Sequence, residues 1–178
     1  MDIPVKVLFA GPMGSGKTTA LRCLSDVDIV STDVAMFDGA TEEKSTTTVA
    51  IDYSTISLDD DTVVHLYGIP GQSHFDFMRP IVADGALGAI VLLDATSRQL
   101  AEDCTHWVST LLSINPQLAL VVGVSKTDLA RNFVLDDVRR ILRQREDVIP
   151  LMCVDPRNEQ QCIQLIRALL LCLDTDPS

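Results

Sequence analysis

The strongest constraint on the fold is a single octapeptide, Gly11-Pro12-Met13-Gly14-Ser15-Gly16-Lys17-Thr18. It fits the pattern G-x-x-x-x-G-K-[ST], whose glycines let the backbone wrap around phosphate groups. Such a loop works between a strand that ends under it and a helix that starts from it, because the first N–H groups of the helix point at the anion. Both flanks are present: residues 3–10 form an apolar run that reads as a buried strand, and residues 16–25 read as a helix. The pattern assigns Gly11, Met13, Gly14, Ser15 and Gly16 to the phosphates, and Thr19 is counted with them. Lys17 would reach the β- and γ-phosphates, and the Thr18 hydroxyl would bind Mg²⁺.

Downstream, apolar runs alternate with amphipathic stretches, which points to a largely parallel sheet covered by helices. Strands are expected at residues 48–58, 62–67, 88–93, 118–124 and 148–153, and helices at 75–82, 98–113, 135–145 and 159–173. The turn at Asp59, Asp60 and Asp61 is too short for a crossover, so the strands on either side should form an antiparallel hairpin. Residues 26–44 read as a polar, irregular loop, long enough to be functional. With 178 residues and no repeat or linker, one domain spanning 1–178 is expected.

Charge and cysteine usage narrow the partners. A formal net charge of −11 argues against nucleic acid, which demands clustered Lys and Arg. The five cysteines match no zinc or disulfide spacing and are expected as reduced, buried thiols. The last apolar stretch, 162–173, is interrupted by Arg167 and is too short to cross a membrane. No leader or lipid-attachment motif is read, so a cytoplasmic protein without a membrane anchor is expected.

Ser125-Lys126-Thr127-Asp128 lies just past the strand expected at 118–124. It resembles the [NTS]-K-x-D element of Ras-like GTPases. In that family the Asp carboxylate accepts from guanine N1–H and the exocyclic amine, and the Lys stem lies along the base. Adenine offers no such donor pair, so the resemblance makes Asp128 the selector for guanine. Thr46-Thr47-Thr48, ahead of Val49-Ala50-Ile51-Asp52-Tyr53, resembles switch I of Rab-type proteins. Spacing from Asp52-Tyr53 picks Thr48 as the ligand of Mg²⁺ and the γ-phosphate, with Thr47 as the alternative. Gly68-Ile69-Pro70-Gly71-Gln72 corresponds to the D-x-x-G-Q of switch II. Gly71 would give its N–H to the γ-phosphate, and Gln72 would orient the attacking water. Gly68 stands where that family has the Asp that holds Mg²⁺ through water.

The stretches Leu66-Tyr67-Gly68-Ile69-Pro70-Gly71-Gln72 and Gly85-Ala86-Leu87-Gly88-Ala89-Ile90-Val91-Leu92-Leu93-Asp94 resemble a prokaryotic branch of Ras-like GTPases, the MglA-like and conservon-type GTP-binding proteins. The resemblance implies an α/β P-loop NTPase fold: a three-layer α/β/α sandwich with a six-stranded, mostly parallel sheet and one antiparallel edge strand. It implies GTP or GDP with Mg²⁺, slow hydrolysis of GTP, and a role as a molecular switch. A roadblock-type regulatory partner and an effector go with that role. Asp155-Pro156-Arg157 falls where the family has its S-A-K loop, whose Ala donates N–H to guanine O6. Pro156 has no N–H, so this contact is expected to be lost or to move to Arg157. Met13 occupies a place that is Gly in Ras, where its side chain would crowd an arginine finger from a partner. Arg79 and Lys44 are the nearby cations of this chain. Asp94 could reach a metal-bound water across the sheet top; its other reading is a helix cap or a bond to a loop N–H. Two rival readings stay open: a nucleotide-binding module that hydrolyses nothing because of Gly68, and a small-molecule kinase, for which no lid arginines are found.

Overall fold

Alternation along the first strand, β1 (Val5–Ala10), sets the layers. Val7 and Phe9 are buried on one side and Leu8 and Ala10 on the other, as a strand between two helical layers must be. The computed structural model describes residues 5–37, 46–58, 62–72, 76, 79–146 and 148–174; the side chains of 32–37 and 46–50 lie outside the description.

Six further strands join β1: β2 (Val30–Phe37), β3 (Thr46–Ser57), β4 (Val63–Gly68), β5 (Gly88–Asp94), β6 (Ala119–Ser125) and β7 (Leu151–Cys153). The sheet order is β2-β3-β4-β1-β5-β6-β7. Only β3 is reversed: it runs antiparallel to β2 and β4, and the remaining neighbours pair parallel. The expected hairpin is therefore present, in register Asp52↔Gly68 to Ser57↔Val63.

Two expectations are corrected. The sheet has seven strands rather than six, and the reversed strand is second from the edge rather than the edge itself. Both follow from β2, which occupies part of the segment read as an irregular loop. Residues 30–37 run Val-Ser-Thr-Asp-Val-Ala-Met-Phe, with a single charge and no glycine or proline to interrupt a strand. They pair with β3 from Val30↔Tyr53 to Phe37↔Thr46. The β-branched run Thr46-Thr47-Thr48-Val49 fits a strand start at Thr46, two residues ahead of the expected one.

Helices α1 (Lys17–Leu24) and α5 (Glu159–Asp174) cover one face. Leu21, Leu24, Leu165, Ile166 and Leu169 pack there against Phe9, Leu66, Ile90 and Leu92. Helices α2 (Arg79–Ala83), α3 (Leu100–Ile114) and α4 (Leu135–Leu142) cover the other. Val82, Trp107, Leu111, Val138 and Leu142 meet Leu8, Val91, Leu93 and Val122. The α/β/α sandwich is thus present. The C-terminal ends of the parallel strands β1, β4, β5, β6 and β7 all open on one edge. Because β1 sits between β4 and β5, the chain leaves neighbouring strands in opposite directions there, which opens a crevice above β1.

No helix among the described residues is long and apolar enough to cross a membrane. None of the five cysteines forms a disulfide; Cys104 and Cys162 are buried as expected, but Cys153 is exposed.

Candidate functional site

The octapeptide leaves β1 at Ala10 and enters α1 at Lys17, directly above the crevice. Gly16, the residue before α1, has φ 102°, a conformation that only glycine adopts readily. The Lys17 ammonium donates to the carbonyls of Gly11 at 2.8 Å and Pro12 at 2.7 Å. Burial lowers its pKa from the usual lysine value to about 8, against the opposing pull of Asp52. Ser15 is fully buried and its hydroxyl has no partner, while its carbonyl accepts from Ser125 Oγ at 2.8 Å.

The Thr18 hydroxyl donates to Asp52 Oδ2 at 2.6 Å. Asp52 lies in β3 directly opposite Gly68 of β4. A Cβ built on Gly68 would lie 3.3 Å from Asp52 Cβ, so the Asp52 side chain fills the space beside the position where an acid was expected and glycine stands. Sequence reasoning used Asp52 only as a landmark. Its role depends on strand register, and the one signal available was an acid on the strand that pairs with the one lacking it. Thr18 and Asp52 share one cavity with Met13, Gly14, Lys17, Gly71 and Gln72. Gly71 lies against the phosphate loop so closely that a Cβ there would sit 2.5 Å from Met13 N. Gln72 Nε2 contacts Met13 Sδ at 3.6 Å, and Met13 is 71 % exposed.

Other expected residues either lie outside the described atoms or do not line this cavity. Thr48 lies in β3 opposite Ala35, with its side chain outside the described atoms; the side chain of Thr47 and all of Lys44 are outside them too. Arg79 is only 3 % exposed. It stacks over Trp107 at 4.1 Å, pairs with Asp76 at 2.7 Å and lies 3.2 Å from His106 Nε2. It is therefore committed to the α3 surface and does not line the phosphate cavity. Asp94 is likewise taken: Oδ1 accepts from Thr96 N at 2.8 Å and Oγ1 at 2.5 Å, and Oδ2 pairs with Lys126 at 2.5 Å. Burial would raise its pKa, but the Lys126 and Thr96 bonds outweigh this and hold it below the ordinary carboxylate value. Of its two readings, the structure favours the loop bond.

A second cavity adjoins the first, and Gly14, Gly16 and Thr19 line both. It contains Lys126, Thr127 and Asp128 from the turn after β6, and Cys153, Asp155, Pro156 and Arg157 from the end of β7 and the turn beyond it. Lys126 stands at φ 57° and donates to Gly14 O at 2.7 Å, so the two loops are tied together. Asp128 is exposed in this cavity. Arg157 Nε and Nη2 hold the Asp155 carboxylate at 2.9 Å each. The Arg157 bonds, led by those of its side chain, keep Asp155 down at about 2. Every residue expected at the phosphates and the base, Thr48 apart, thus lies in one of two joined cavities or, for Gly11, Ser15 and Ser125, in the walls behind them. Among the described residues no three His, Cys, Asp or Glu side chains gather as a metal cage.

Comparison with known proteins agrees with this architecture. An uncharacterized protein of Methanocaldococcus jannaschii is 37 % identical over 125 residues, 70 % of this chain and 71 % of its own length. The mutual gliding-motility protein MglA of Myxococcus xanthus is 23 % identical over 154 residues, 81 % of this chain and 78 % of its own. The Ras-related protein RABF2b of Arabidopsis thaliana is 26 % identical over 143 residues, 78 % of this chain and 66 % of its own. A sequence family described as "conserved hypothetical ATP binding protein" matches residues 25–177, everything beyond the phosphate loop and α1 up to the penultimate residue. The match spans most of the chain, and the chain belongs to that family.

Proposed function

We propose that the chain is a small Ras-like GTP-binding protein. It binds GTP or GDP with Mg²⁺, hydrolyses GTP slowly to GDP and phosphate, and works as a nucleotide-dependent switch built on one domain spanning 1–178. A cytoplasmic setting, a roadblock-type regulatory partner and an effector belong to the same reading. The observation that carries it is the continuity of the two cavities through Gly14, Gly16 and Thr19. A nucleotide laid across them would put its phosphates on the Gly11–Thr18 loop and its base edge on Asp128.

Hydrolysis adds a water oxygen to the γ-phosphorus as the bond to the β–γ bridging oxygen breaks. The water protons end on the phosphate product and the buffer, and negative charge collects on GDP. Lys17 would exchange the Gly11 and Pro12 carbonyls for the β- and γ-phosphate oxygens. Gly71, already against the loop, would give its N–H to the γ-phosphate, and Gln72 would leave Met13 to orient the water. Mg²⁺ would neutralise charge on the β- and γ-phosphates. Thr18 and Asp52 would hold it, with Asp52 in the part of the acid missing at Gly68; their mutual hydrogen bond at the cavity supports this reading. Thr48 is the further ligand that the resemblance supplies.

A second reading, ATP in the same cleft, follows from the family's description. Asp128 opposes it, because adenine carries one exocyclic amine and no N1–H on its pairing edge. Among the described residues no arginine lines the phosphate cavity, so intrinsic turnover should be on the order of 10⁻⁴ to 10⁻³ s⁻¹. A single-turnover GTP assay tests the enzyme. Gln72→Leu should slow it by at least about tenfold with GTP affinity nearly unchanged; an unaltered rate would remove Gln72 from the mechanism.

A further inference from the structure

The pairing edge of guanine carries two donors, N1–H and the 2-amino group, and one acceptor, O6. Asp128 can take the donors, because an ionised carboxylate only accepts. O6 needs a donor from the facing wall, formed by the turn between β7 and α5. The N–H groups of that turn are all spent or missing. Asp155 N donates to Gln161 Oε1 at 2.7 Å. Pro156 has no N–H. Arg157 N donates to Asp155 Oδ1 at 2.9 Å, and Asn158 N donates to Asp155 O at 2.9 Å. The nearby cations are engaged as well: Arg157 Nε and Nη2 clasp Asp155, and Lys126 is held by Gly14 O and Asp94.

Pro156 also fixes the turn in place. It is buried, and its ring rests on the phosphate loop, where a Cβ at Gly16 would meet Pro156 Cγ at 2.7 Å. The turn therefore cannot rotate a backbone donor inward without lifting the proline off Gly16. We infer that Pro156 is a specificity-determining residue: the pocket reads guanine through its two donors and leaves O6 without a backbone hydrogen bond from this turn. The ligand class is then guanine nucleotides and their analogues altered at position 6, with N1–H and the 2-amino group retained.

The inference rests on the guanine-nucleotide reading above, and calorimetry with four diphosphates separates the two. GDP and ADP test the reading, GDP and 6-thio-GDP test the inference, and inosine diphosphate tests the 2-amino contact. Sulfur at position 6 is a poor acceptor, so 6-thio-GDP should bind wild-type protein within about threefold of GDP. Inosine diphosphate should bind about tenfold or more weakly than GDP, because Asp128 loses one donor. Pro156→Ala restores an N–H and should open a preference of about fivefold for GDP over 6-thio-GDP. If GDP binds no better than ADP, the functional reading fails. If GDP beats ADP but also beats 6-thio-GDP by more than about tenfold in the wild type, only the inference fails. Loss of that discrimination in Arg157→Gln would then name Arg157 as the O6 reader. The wild-type comparison decides even if Pro156→Ala does not fold; a folded variant with an unchanged ratio would overturn the role of Pro156.

Discussion

The two ends of the cleft are built on different terms. At the phosphate end two side chains that face the cavity already have protein partners: Lys17 is on Gly11 O and Pro12 O, and Thr18 is on Asp52. At the base end Asp128 stands exposed in an open cavity, and the surrounding donors are bonded to neighbouring protein acceptors. In the proposed complex, ligand binding at the phosphate end would be an exchange, in which internal bonds are given up for stronger, charge-assisted ones. At the base end it would be an addition. Affinity at the first end should therefore respond to pH and metal, and selectivity should come from the second.

The largest expected effect breaks the exchange altogether. Lys17→Met removes the ammonium that would move from two carbonyls to two phosphates, and should weaken GDP by at least about a hundredfold. Because Lys17 touches nothing at the base end, the GDP-to-ADP preference should survive in whatever binding remains. Titration of both nucleotides against the variant checks this, and a lost preference would mean that the ends are not independent.

Asp52→Asn comes next. If Asp52 turns from Thr18 to a metal-bound water, the variant should need about tenfold more Mg²⁺ to reach half-maximal enhancement of GDP affinity. Affinity without Mg²⁺ should hold or improve, since a carboxylate facing the phosphates is gone. An unchanged Mg²⁺ midpoint would reduce Asp52 to a structural partner of Thr18 and Ser31.

The smallest effect is on pH. Burial depresses the Lys17 pKa to about 8 in the free protein, and bound phosphate would raise it. Below that value the ammonium is present in both states. Above it, binding must take up a proton, so affinity falls as pH rises. From about pH 7 to about pH 8.5, below the titration of guanine N1–H, GDP should weaken about fourfold. A flat profile would contradict the exchange picture at Lys17.

The same contrast explains what could be read from the sequence. The phosphate loop and Ser125-Lys126-Thr127-Asp128 are contiguous, so their residue order alone placed them at strand ends, where the structure has them. Their partners come from elsewhere. Asp52 meets Thr18 only because β3 and β4 pair in the register Asp52↔Gly68, and the residues around Asp52 do not show that Thr18, far away in the chain, will face it. β2 was hidden for another reason: its residues show no clean alternation and lie within 26–44, whose polar flanks dominate the window. At the base loop, Pro156 revealed one missing donor. That Arg157 N also turns away, to Asp155, required the folded turn.

The central claim is that one carboxylate, Asp128, makes this cleft select guanine, although the family is described by ATP. Calorimetry of GDP and ADP against the wild-type protein and Asp128→Asn tests it directly. The expected result is GDP tighter than ADP by at least about a hundredfold in the wild type, falling to within about tenfold in the variant. Equal binding of the two nucleotides by the wild-type protein, or tighter ADP, would contradict the account.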